Sequence, residues 1–234
     1  MTQTNYYNND NSLKNYLSKT FSTVAIGVLI SAVTAFLSSK LMPVFFMRSP
    51  GFAAIFSLVA IFAELGVAIY FSARLQTMSK STAWMCYVIY SVLTGISFWA
   101  ILDTYTAASI TLAFLATAIM FICMAIIGHT SSFDYTKVYS LFLPAILAGA
   151  IISLLNVFIF HSSMLDMIIV YVGIVLFLFI TAADIQRLKD FYYAGQYNSE
   201  LSDKFMILGA FQLYLDFVNL FIRIVRIFGR RRND

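Results

Sequence analysis

The chain alternates between long apolar stretches and short polar breaks. Seven apolar runs stand out: Phe21–Leu41, Phe52–Phe71, Ala83–Leu102, Ala107–Gly128, Val138–Phe160, Met167–Ala183 and Phe205–Phe228. A helix rises about 1.5 Å per residue, so ~20 residues cross a ~30 Å hydrocarbon layer. Backbone N–H and C=O groups cannot go unpaired in lipid, which makes helix the expected state of runs this long. The breaks are short. Met42–Gly51 carries Pro43, Pro50 and Gly51, Asp103–Thr106 is barely a turn, and Gln186–Lys204 is the longest connection. Pro144 falls early in the fifth run.

Composition agrees with this pattern. The 234 residues are 61% hydrophobic and only 11% charged, and the mean hydropathy is +0.84. Soluble domains carry about 25% charged residues. The expected organisation is an all-α membrane protein. Residues 1–20 form a polar cytoplasmic tail, 21–228 a domain of seven transmembrane helices, and 229–234 a basic C-terminal tail. Residues 1–20 have no apolar core and no cleavage site, so a removable leader is not expected.

The net charge of +4 does not point to nucleic acid, because the basic residues lie in loops and at helix ends. With the N-terminus in the cytoplasm, Lys14, Lys19, Arg74, Lys80, Lys137, Arg187, Lys189 and Lys204 fall inside. Up to the sixth run, only Lys40 and Arg48 fall outside. The tail runs against this bias: Arg223, Arg226, Arg230, Arg231 and Arg232 lie near or beyond the outer end of a seventh span. A re-entrant hairpin would return them inside. Gln212–Phe228, however, holds no Gly or Pro to form its bend, so a continuous helix is expected.

Ionisable groups inside spans are costly and point to function. Glu64, Arg74, Asp184 and Asp216 qualify. Gln212, Asp216, Asn219, Arg223 and Arg226 are spaced by four, three, four and three, which places them on one helix face. Such a stripe must avoid lipid, so the last helix is expected to be central, with six helices surrounding it. The stripe could instead serve only to hold helices together. Asp184 could be a solvated helix end paired with Arg187, and Arg74 a snorkelling interface charge. Glu64 is too short to snorkel from mid-span.

Enzyme readings find little support. A zinc hydrolase needs clustered ligands, but His129 and His161 fall at opposite membrane sides in this topology. No GxSxG or GxGD sequence occurs, and Lys204 only precedes the last span, where a retinal-binding protein would want it inside. Cys86 and Cys123 sit in apolar runs without metal-ligand spacing and read as small buried hydrophobes.

The segment Leu213-Tyr214-Leu215-Asp216-Phe217-Val218-Asn219-Leu220-Phe221 resembles the signature last helix of the Bax inhibitor-1, or transmembrane Bax inhibitor motif, family. Thr181-Ala182-Ala183-Asp184-Ile185-Gln186, Gly128 with Asp134, and Asn156 are similar to other family stretches. The resemblance implies six helices around a seventh and, for the bacterial branch, a pH-sensitive calcium leak in the cell inner membrane. It also implies a controlling aspartate pair, Asp184 and Asp216, which could ligate calcium transiently without a resident cofactor. Arg74 would engage the pair, and Glu64 and Asn219 would line an ion path. Some bacterial relatives resemble modulators of a membrane-anchored ATP-dependent protease. On that alternative, Met1–Lys19 would contact the protease.

Overall fold

The computed structural model describes the backbone of residues 2–134 and 136–232, with side chains from residue 12 onward except at 46, 48, 50, 52–54, 57, 136, 138, 139 and 143. The side chain of Arg48, used in the charge count, therefore lies outside the described residues. The described chain is helical: α1 (Thr2–Arg48), α2 (Pro50–Arg74), α3 (Lys80–Ser97), α4 (Trp99–Thr104), α5 (Ala107–Thr130), α6 (Thr136–Leu155), α7 (Ser163–Gly195) and α8 (Ser199–Phe228). A π turn, Asn156–Phe160, closes α6.

Among the described residues six helical stretches are long and apolar enough to cross a membrane: Ser12–Phe45, Lys80–Thr104, Ala107–Thr130, Ser140–Phe160, Ser163–Gly195 and Ser199–Phe228. Helix α2 covers the remaining expected run, and several of its side chains are outside the described set. Large apolar side chains such as Leu29, Phe36, Phe62, Ile119, Phe158 and Val172 are more than half exposed. Surfaces of this kind suit lipid rather than water.

Several boundaries differ from the sequence pattern. The third run is broken at Phe98, whose N–H reaches both Thr94 O and Gly95 O and tightens the last turn of α3 before α4 begins. The expected long connection Gln186–Lys204 is mostly helix, and only Gln196–Asn198 separates α7 from α8. Ile185, Leu188 and Tyr192 are buried at helical spacing, so packing of one face carries α7 beyond the apolar run. Similarly, α1 continues back through the expected polar tail, where Tyr16 and Thr20 are buried. Helix α8 is continuous, as expected from the absence of a breaker.

The helices form two compact units. The first holds Met1–Thr106, Lys189–Tyr214 and Arg231–Asp234. Its centre is aromatic. Phe71 meets Phe211 edge-on at 4.8 Å, and Tyr90 meets the same ring at 4.9 Å. Hydroxyls thread this core. Tyr87 donates to Thr23 O, and Ser31 donates to Ser91 O at 2.7 Å. Ser31 has one proton, so the 2.6 Å contact with the Tyr214 hydroxyl is donated by Tyr214. Lys204, nearly buried, donates to the carbonyls of Gln76 and Met78 and pins the turn between α2 and α3. Lys80 and Asp203 pair nearby at 2.6 Å.

The second unit holds Ala107–Leu188 and Leu215–Arg230. Phe114 and Phe121 of α5 pack edge-on against Phe217 of α8. The π turn ends at His161, in left-handed conformation with φ 50°. Asn156 receives Ser162 N–H on its side-chain oxygen and donates to Ser162 O, which clamps the link to α7.

Candidate functional site

Within the second unit, α7 and α8 run antiparallel with a polar seam between them. Asp184 is 4% exposed and Asp216 3% exposed. The two carboxylates act on each other electrostatically. They come from different helices, and the sequence separation of 32 residues gives no hint of their proximity. Close packing holds this region. A Cβ at Gly128 on α5 would fall 2.5 Å from the Ala182 carbonyl oxygen on α7, two residues before Asp184.

Asp184 has a cationic partner on its own helix: Arg187 Nη1 is 3.4 Å from Asp184 Oδ1. The Asp184–Arg187 pairing weighed from the sequence is therefore present, but it lies within α7 rather than at its end, and the carboxylate is buried rather than solvated. Asp216 neighbours the Thr181 hydroxyl, whose own proton is donated to Phe177 O at 2.7 Å. Asp216 Oδ2 is buried and has no hydrogen-bond partner among the described residues. Asn219, one turn further along α8, is half-buried and donates to Leu215 O.

Glu64 belongs to the first unit. Its carboxylate receives Thr94 Oγ1 at 2.5 Å and Ser97 Oγ at 3.1 Å. These donors sit three residues apart on α3 and so share a face. Arg74, the last residue of α2, is exposed and ten residues from Glu64, about 15 Å along the helix. The cation beside Asp184 is Arg187.

Among the described residues no group of three or more His, Cys, Asp or Glu side chains could hold a metal ion. Asp184 and Asp216 would offer two carboxylates, fewer than the six to eight oxygen ligands a resident calcium takes. A cation there would have to complete its shell with carbonyls or water.

Comparison with known proteins agrees with the motif. The family model described as "Inhibitor of apoptosis-promoting Bax1" matches residues 13–233. The chain belongs to the Bax inhibitor-1 family. A Borreliella burgdorferi protein of uncharacterised role is 35% identical over 222 residues, covering 94% of this chain and 93% of that protein. The inner membrane protein YbhL of Escherichia coli K12 is 34% identical over 224 residues, covering 94% and 93%. An uncharacterised membrane protein of Streptococcus pyogenes serotype M6 is 31% identical over 232 residues, covering 96% of each chain. This Bax inhibitor-1 family member is thus a multi-pass membrane protein. Its signature segment Leu213–Phe221 lies wholly within α8.

The sequence reading of this family member missed Thr94 and Ser97 as partners of Glu64. Two hydroxyl residues one turn apart near the end of α3 were the available signal.

Proposed function

We propose that this chain is a pH-responsive calcium leak of the cell inner membrane, with its N-terminus in the cytoplasm and Asp184 and Asp216 as the proton-sensitive latch. The observation that carries the reading is that these two carboxylates, one from α7 and one from α8, are both buried and act on each other electrostatically. Two carboxyls held together in a low-dielectric site cannot both ionise cheaply, so they tend to share a proton. Their titration then belongs to the pair.

A shared proton ties α7 to α8. Loss of that proton replaces the tie with repulsion, which Arg187 offsets on one side only. Such a change biases a two-state packing. The ionised carboxylate pair then attracts a hard cation. Glu64, Asn219 and Arg74 enter the proposal as path or gating residues, through the family resemblance and their place on spans. The arrangement of six helices around α8 enters the proposal through the family resemblance.

Purified protein in liposomes, with a calcium indicator inside, tests the reading across pH. The expected result is a flux whose pH profile changes in Asp216→Asn and in Asp184→Asn. An unchanged profile in both variants rejects the latch, and no flux at any pH rejects the leak.

A further inference from the structure

Arg223 lies on α8 two residues beyond the signature segment, seven residues from Asp216, about 10 Å along the same helix face. Its position in the second unit is specific. The guanidinium stands over the Phe177 ring of α7, with its central carbon 4.9 Å from the ring centroid. It also fills the notch left by Gly173, where any Cβ would collide with it. Nε is buried and has no hydrogen-bond partner among the described residues.

Asp166, at the start of α7, pairs with Arg226 at 3.4 Å. The charge acting on Arg223 from its own helix is this second cation, Arg226. The α7–α8 seam is therefore polarised. Asp184 and Asp216 make one stretch anionic, while toward the end of α8 stand Arg223 and Arg226, of which Arg226 pairs with Asp166.

A guanidinium does not lose its proton in proteins. In a low-dielectric segment its field is poorly screened. Along this face of α8, Arg226, Arg223 and Asn219 stand in that order between its C-terminal end and Asp216, so an ion drawn to the aspartates from that end would meet the two cations first. A fixed cation on such a route excludes cations, as arginines do in selective pores.

We infer that Arg223 is a charge filter on the C-terminal side of the aspartate pair, repelling metal cations from that end while admitting anions and water as far as Asn219. The inference concerns access along one seam and goes beyond the proposed leak, because it holds whether or not calcium crosses.

The test places a cysteine at Asn219 in the full chain with Cys86 and Cys123 changed to Ala, reconstituted in vesicles. Anionic sulfonatoethyl and cationic trimethylammonioethyl methanethiosulfonates are applied from the side of the α8 C-terminus. Relative to a free thiol, the anionic reagent should be favoured about tenfold. Arg223→Gln should abolish that preference and Arg223→Lys should keep it. The same ratio in the Gln variant as in the parent overturns the filter, as does absence of labelling by either reagent in either chain.

A second measurement keeps Asn219 intact. Calcium entry from the same side should rise severalfold in Arg223→Gln and stay unchanged in Arg223→Lys. An unchanged flux in Arg223→Gln overturns the filter, whereas loss of all flux in the parent chain bears on the leak alone and leaves the labelling result to decide.

Discussion

Arg187 Nη1 stands 3.4 Å from Asp184 Oδ1, one turn along the same helix. The carboxylate is 4% exposed and the guanidinium side chain 30% exposed, so the pair joins a buried group to one that water still reaches. Removing Arg187 leaves Asp184 without its cation next to Asp216. We expect Arg187→Gln to lower stability by about 1–3 kcal/mol, measured as a melting shift in detergent. Adding Asp184→Asn should recover part of the loss, since the buried charge goes with it. Purely additive losses would show that the two side chains are not coupled.

Lys204 offers a test in the other unit. Its ammonium donates to Gln76 O and Met78 O, where α2 ends and α3 begins. Lys204→Met keeps the aliphatic stem and removes the donors. The orphaned carbonyls should cost about 1–3 kcal/mol, and proteolysis should be faster at the turn between Arg74 and Lys80. A melting temperature within error of the parent would contradict this role.

Gly128 and Gly66 should respond in opposite ways to alanine. A Cβ at Gly128 meets the Ala182 backbone, which cannot rotate away, whereas a Cβ at Gly66 meets nothing within 4 Å. Gly128→Ala should destabilise by about 1–3 kcal/mol. Gly66→Ala should be neutral or stabilise by up to about 1 kcal/mol through helix propensity. Parallel thermal melts decide the matter, and equal effects would disprove the close approach of α5 and α7.

The basic tail yields a topological prediction. Arg232 N–H donates to Thr104 O, Arg231 forms a bridge with Tyr105, and Arg230 N–H donates to Ser109 Oγ. Hydrogen bonds cannot reach across a bilayer, so the tail and the turn after α4 share one side of the membrane. Single cysteines at Asp103 and at Arg231 should therefore react with an impermeant thiol reagent from the same side. Labelling from opposite sides would restore the re-entrant hairpin.

The apolar runs by themselves determined that this chain crosses a membrane as helices, because lipid leaves an unpaired backbone no other partner. The spacing of Asp216, Asn219, Arg223 and Arg226 likewise determined that one face of α8 is polar, since helical periodicity is a local property. Helix ends in polar sequence were less legible. The stretch of α7 after Asp184 reads as a loop by hydropathy and folds as helix because Ile185, Leu188 and Tyr192 find a core.

Tertiary structure alone decided which charges meet. Thr94 and Ser97 converge on Glu64, and Arg223 settles into the space of Gly173. Each pairing depends on the rotation and register of one helix against another. Those are set by side-chain packing between segments far apart in the chain, and no local pattern encodes them.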